Sequence, residues 1–189
     1  MVYAMNYLLD DKDRIIINLM QKNPHLSQSE IAQHVDLSQP AAYFRIQKLL
    51  KKGFLSRFVG VDIKKISLPM AKLDIQVDNP DLMFPLIENC PYILNAYYMN
   101  GGNVFSLFMT GENRGTIQAV KSNILKSDGF HELYFHSIQD SKSNLIMPLS
   151  MIAQRNQSPY MNACRECDHY VDSTCLGCPY TDHYRGTLW

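Results

Sequence analysis

The sequence predicts an α+β fold: an N-terminal winged helix-turn-helix, a ferredoxin-like βαββαβ domain and a small four-cysteine metal knuckle. Three observations carry this. Capped helical periodicity fills the first third of the chain, four strand-like segments separated by two helical ones fill the middle, and four of the five cysteines fall in the last 26 residues. Of the 189 residues, 46% are hydrophobic and 19% charged, enough to bury a core and exclude wholesale disorder. Basic and acidic residues both number 18, but residues 1–67 carry 10 basic and 6 acidic side chains, net +4. Residues 68–150 are net −3 and residues 151–189 net −1. A basic head on an acidic body points to an anionic partner for the head.

In the head, Ile15, Ile16, Leu19 and Met20 give Asp11–Asn23 one apolar side, and Asn23-Pro24 ends that helix. Ser27-Gln28-Ser29-Glu30 has capping-box spacing and opens a second, short helix with Ile31, Ala32 and Val35 inward. Ser38 is a good N-cap for a third, with Pro40 in its first turn and Gly53 after its end. Ala42, Ile46, Leu49 and Leu50 recur at helical spacing. Phe54–Val61 has the composition of a wing hairpin.

With Ala42 and Ile46 inward, the third helix turns Gln39, Pro40, Tyr43, Phe44, Gln47, Lys48 and Lys51 outward, with Ser38 at its start. Arg45 lies on the flank and Arg57 on the wing. Amides can read base edges, aromatic groups can meet thymine methyls, and cations can meet phosphates. The alternative is a solvated helix, but Phe44 is costly to leave in water without a partner. Double-stranded DNA is the expected partner.

In the body, Met70–Val77 alternates, with Ala71, Leu73, Ile75 and Val77 on one face and Met70, Lys72, Asp74 and Gln76 on the other. Asn79-Pro80 starts a helix through Glu88 with Leu82, Met83, Leu86 and Ile87 inward. Ile93–Met99 and Val104–Thr110 flank the hairpin signal Asn100-Gly101-Gly102-Asn103. A helix bearing Ile117, Val120, Ile124 and Leu125 precedes a last strand, Phe130–Ile138. This order is the split βαβ arrangement. Tyr97, Met99, Phe108 and Tyr134 fit the sheet face that the helices leave open, and a second copy would cover it. His131 and His136, five apart, are expected on opposite faces, and Cys90 as a packed residue.

The head and body together resemble the Lrp/AsnC (feast/famine) transcriptional regulators over roughly residues 8–147. The family pattern LSxxxVxxRIxxLxxxGxI maps onto Leu37, Ser38, Ala42, Arg45, Ile46, Leu49, Gly53 and Leu55. The resemblance implies DNA binding and an effector-binding domain that forms homodimers or higher assemblies of dimers. It departs at one point. The family's GxxD-like turn is here Gly101-Gly102-Asn103-Val104, so the acid is missing and amino-acid sensing does not carry over. Siroheme decarboxylases resemble the same two-domain build; on that rival reading Arg114, His131 and His136 would handle substrate.

The tail carries Cys164-x2-Cys167-x7-Cys175-x2-Cys178. Each CxxC turn aims two thiolates at one point, and two complete a tetrahedron. So short a polar segment has no core of its own in which to hide four cysteines. Zinc is the expected ion, with a [4Fe–4S] cluster as the alternative because of the closing Cys178-Pro179 step. His169 and His183 are ligands in reserve, and Tyr184, Leu188 and Trp189 can pack the tail on the body.

The expected domains are 1–67 (winged helix-turn-helix), 68–148 (ferredoxin-like effector and dimerisation domain), 149–163 (linker) and 164–189 (four-cysteine module). No apolar run approaches a membrane span, and the N-terminus lacks the pattern of a signal peptide. A cytoplasmic, non-enzymatic DNA-binding regulator is the expectation.

Overall fold

The computed structural model describes residues 9–56, 59–142, 146–147, 149 and 164–188. The chain divides into two compact units, Met1–Phe58 and Val59–Trp189.

The first unit contains three helices: α1 (Asp11–Lys22), α2 (Gln28–His34) and α3 (Gln39–Lys51). Each start is fixed by a side chain that takes an orphan backbone N–H. Asp10 and Asp13 form a capping box on α1, and Ser27 and Glu30 form one on α2. The turn between α2 and α3 closes with Asp36 in the left-handed region, at φ 49°. Its N–H donates to Gln33, and the Leu37 N–H donates to Ala32. Ile16, Ile31, Val35, Ile46 and Leu49 form the core of this unit, with Phe54 and Leu55 packed against it.

The wing hairpin expected over Phe54–Val61 is not formed by the described residues of that stretch. Val61 lies instead in β1 (Val61–Asp62), which pairs antiparallel with β6 (Ile146–Met147) in the second unit. Residues 59–67 therefore belong to the body rather than to the head.

The second unit is built on a four-stranded antiparallel sheet of order β3-β4-β2-β5: β2 (Met70–Val77), β3 (Ile93–Met99), β4 (Val104–Thr110) and β5 (Phe130–Ile138). Helices α4 (Met83–Asn89, entered through a 3-10 turn at Pro80–Leu82) and α5 (Arg114–Leu125) supply the two crossovers. Leu73, Ile75, Phe105, Leu107 and Met109 from the sheet meet Met83, Val120 and Ile124 from the helices in one core. Leu82 falls outside it, 48% exposed, because the 3-10 entry shifts the helical phase. Cys90 is packed in that core, as its type suggests.

The tail is part of the same unit. Cys178 and Tyr180 belong to the main core, beside Tyr92 and Val120. A second cluster joins Cys167 and Cys175 to Ala119 of α5, with α6 (Asp168–Val171) alongside through Tyr170. The tail, expected as a module packed on the body, shares the body's core because it has too few apolar residues for one of its own. Leu149, placed at the start of the expected linker, is buried with Ile63, Met70 and Leu94. The remainder of that linker, residues 150–163, lies outside the described residues.

Candidate nucleic-acid interface and thiol centre

Helix α3 is specified at both ends. The Ser38 hydroxyl accepts the Ala41 N–H at its start, and Pro40 occupies its first turn. At its end Gly53, with φ 75°, lets the Phe54 N–H reach Leu49 and its own N–H reach Leu50, a closed C-cap that needs the left-handed region. Ala42, Ile46 and Leu49 are buried, which fixes the helix's rotation. Gln39, Pro40, Tyr43, Phe44, Lys48 and Lys51 are exposed, and Gln47 is half-buried. Phe44 is 70% exposed, with its ring edge-on to Tyr43 at 5.7 Å between centroids. Two amides, two rings and two ammonium groups therefore share the outer side of one helix.

Arg45 is placed differently from that set. Its Nη1 donates to Asp10 Oδ2 at 2.6 Å and to Asp13 Oδ1 at 2.8 Å, tying α3 to the start of α1. The Asp13 N–H and then the Arg45 guanidinium hold the Asp10 carboxyl below its usual range, and the same contacts make Arg45 hold its proton more firmly. Ser38 is likewise occupied as the cap. Arg57 lies outside the described residues.

The open side of the sheet carries the second group. Lys72 pairs with Phe108, Asp74 with Ser106 and Gln76 with Val104, while Tyr97 and Met99 align with Ser106 and Val104. Tyr97, Met99, Phe108 and Tyr134 consequently share one face, with Tyr97 edge-on to Phe108 and Tyr134 stacked on His136. The expectation for the histidines is corrected. A register shift between Asp74 and Ile75 leaves Leu133 without a partner residue in the ladder. His136 then pairs with Lys72 and His131 with Gln76, so both fall on the open face. His131 Nε2 stands 3.3 Å from Asp78 Oδ1. In the hairpin turn, Asn103 accepts the Tyr98 hydroxyl and donates to the Asp78 carbonyl, so it is a structural residue.

The third group is the thiol centre. Cys164, Cys167, Cys175 and Cys178 are all buried, and none is in a disulfide. All four line one small cavity of about 20 Å³ together with Tyr92, Asn123 and Gly177. The second CxxC turn needs Gly177, at φ 83°, since an added Cβ would lie 2.3 Å from the His183 carbonyl oxygen. The Gly177 N–H donates to Cys175 Sγ at 3.4 Å. Burial nonetheless pushes the Cys175 thiol above its usual range. Among the described residues, no three His, Cys, Asp or Glu side chains already stand in a metal-holding arrangement. Two features still fit a cation. Four cysteine sulfurs line the cavity, and among the described residues the buried Oδ1 of Asn123 on its wall has no hydrogen-bond partner. His169 and His183 stand apart: His169 Nδ1 is 3.4 Å from the Thr174 hydroxyl, and His183 lies against Tyr170.

The tail is seated by polar contacts that spacing in the sequence does not reveal. The buried Tyr92 hydroxyl donates to the Gly177 carbonyl, and burial raises its pKa so that it stays a neutral donor. The N–H groups of Thr187 and Leu188 donate to Glu112 Oε1 at 3.0 and 2.8 Å. An added Cβ on Gly115 would lie 2.0 Å from the Thr174 carbonyl oxygen, so α5 and the tail touch backbone to backbone. Trp189 lies outside the described residues.

Comparison with known proteins bears on the helix-turn-helix and on the fold. A family profile described as winged helix-turn-helix DNA-binding matches residues 9–56. An uncharacterised HTH-type transcriptional regulator of Pyrococcus abyssi is 27% identical over 162 residues, covering 80% of this chain and 94% of its own. The HTH-type transcriptional regulator LrpC of Bacillus subtilis is 28% identical over 134 residues, 69% of this chain and 91% of its own. The LrpC structure matches with a TM-score of 0.60 at 25% identity, covering 72% of this chain and 99% of that one. Escherichia coli AsnC matches in fold, with a TM-score of 0.64 at 19% identity over 72% of this chain and 96% of its own. These proteins are spanned almost end to end, while at least a fifth of this chain has no counterpart in any of them. Nothing among them supports the decarboxylase reading.

Proposed function

We propose that this chain, a helix-turn-helix transcriptional regulator of the Lrp/AsnC type, reads double-stranded DNA through α3 as a dimer and carries a zinc ion on its four tail cysteines. The observation that carries the first part is the outer side of α3. Phe44, Gln39, Gln47, Lys48 and Lys51 have no role in the head's core, and their chemistry matches base edges, thymine methyls and phosphates. Arg45 is left out of the contact set because two carboxylates already hold it. The aromatic open face of the sheet supports pairing with a second copy, which would set two α3 helices on two-fold half-sites. A cytoplasmic location goes with this role, and among the described residues no helix is long and apolar enough to cross a membrane.

The metal reading rests on the donor set. Cys164, Cys167, Cys175 and Cys178 would supply four thiolates, and the Gly177 N–H would support the Cys175 sulfur. Zinc bound there supplies structural cross-linking and no redox chemistry. Thiols must be deprotonated to bind zinc, so binding there would release protons and fix the two CxxC turns against each other.

Fluorescence anisotropy with sheared genomic DNA, then with selected sites, tests the DNA role. Phe44→Ala with Gln47→Ala should weaken specific binding while the protein stays folded. Equal affinity in that variant and the parent would rule out α3 as the reading helix. Metal analysis of anaerobically purified protein tests the other half: one zinc per chain is expected, and a protein without zinc, whether iron-loaded or empty, overturns it.

A further inference from the structure

A cleft of about 460 Å³ opens in the second unit between the first turn of α5, the start of β2 and the end of β5. That volume is within the ~300–1,000 Å³ usual for small-molecule sites. It lies at the far end of the sheet from the Gly101–Asn103 turn. The turn sits beside Val77, whose N–H donates to Asn103, whereas the cleft takes in Met70 and Ile138, paired at the opposite end of the same strands. Its floor is apolar, with Ile63, Met70 and Ile117 all buried.

Three charged side chains line the cleft: Lys64, Arg114 and Asp140. Two of them satisfy each other. Lys64 Nζ stands 2.5 Å from Asp140 Oδ1 and donates to the Ser141 carbonyl at 3.1 Å. The Lys64 head holds the Asp140 carboxyl below its usual range, which keeps it ionised and paired. Arg114 has no ion pair or hydrogen bond among the described residues. The cleft thus offers one uncommitted positive charge, carried by a planar fork of donors, beside an apolar floor.

We propose that this cleft binds a small monocarboxylate with an apolar body and no ammonium group, its carboxylate held by Arg114. A guanidinium matches a carboxylate edge to edge, and one cation balances one anion. The chemistry also says what is refused. An α-amino acid would bring an ammonium group into a cleft whose single carboxylate is already held by Lys64, and an unpaired charge beside apolar walls is costly. A 2-oxo acid of the same skeleton meets no such cost, and Gln118 and Ser137 on the wall can donate to its oxo oxygen. This inference depends on neither the DNA nor the zinc reading.

Isothermal titration of the full chain with α-ketoisocaproate and, separately, with leucine tests it. Arg114 is exposed, so Arg114→Gln should fold, and its melting temperature serves as the control. The expected result is saturable binding of the oxo acid, with leucine and the Arg114→Gln variant each weaker by about tenfold or more. Arg114→Lys should recover part of the loss, because it restores charge without the fork. The proposal is overturned by no saturable binding of the oxo acid, by leucine binding as tightly, or by an Arg114→Gln variant that binds as the parent does.

Discussion

The Arg45 guanidinium stands 2.8 Å from Asp13, a carboxylate whose side chain is only 2% exposed. A charge so far out of water needs a counter-ion, and the residue that supplies it lies on the helix expected to face DNA. Arg45→Ala should therefore destabilise the head by about 2–4 kcal/mol, less than the cost for a wholly buried pair because Arg45 is itself partly wet. Arg14→Ala, which removes an exposed pair with Asp11, should cost under about 1 kcal/mol. Urea unfolding followed by far-UV circular dichroism separates the two. Equal effects would mean that the Arg45 contacts are not structural.

Acid should act through the same corner. The folded pKa of Asp10 lies below its unfolded value, so its contribution is present above about pH 4 and is lost as pH falls through the folded value. Asp74 has the same sign in the second unit: burial raises it, but hydrogen bonds from Lys72 and Ser106 outweigh that and hold it down. The chain should lose stability steadily below about pH 4. Asp10→Asn should flatten the acid limb of a stability–pH curve for the head, and a variant with the parent's slope would contradict the linkage.

Much of the fold is legible in the sequence, and the exceptions share a cause. The four main strands follow from their β-rich composition and turn signals, and Ser27, Ser38 and Gly53 from local capping chemistry. The pairing of Arg45 is not legible, because Asp10 and Asp13 are more than 30 residues away and only tertiary packing brings them near. Parity puts His131 and His136 on opposite faces, and one unpaired residue, Leu133, reverses this. The CxxC spacing pointed to a common centre, but nothing in it signals that Tyr92 and Ala119 form its walls.

Salt dependence should distinguish the residues on α3. Lys51→Ala removes a candidate phosphate contact and should lower the slope of log K against log salt by about 0.9, weakening all sequences alike. Gln47→Ala removes a base-edge reader and should cost about 1–3 kcal/mol at a specific site with the slope unchanged. Titrations at several salt concentrations read both quantities. A slope unchanged in Lys51→Ala would place that lysine outside the interface.

Chelation should reach beyond the cysteines themselves. Cys178 and Tyr180 share a core with Phe105 and Ile124, so removing the proposed zinc should lower the melting temperature of the whole second unit and leave the head's unfolding unchanged. Gly115→Ala should act in the same direction. An alanine in a helix normally gains about 1 kcal/mol over glycine, but here its Cβ meets the Thr174 backbone, which has no flexible end to move aside. Faster reaction of Cys175 with a thiol reagent in Gly115→Ala is the expected readout. A parent-like rate would show that the tail is held independently of α5.

The shifted register in β5 bears on how copies can add to one another. β5 is an outer strand of the four-stranded sheet, the kind of edge along which chains can zip into open-ended ribbons. The unpaired Leu133 breaks its regular donor–acceptor spacing midway, so a second strand cannot run straight along it. Addition along the β5 edge is thereby discouraged, which leaves pairing through the aromatic face, as proposed above, the less hindered arrangement on that side of the sheet. A pair of copies that covers the aromatic face should close on itself, and light scattering across a concentration series should show a particle of fixed size.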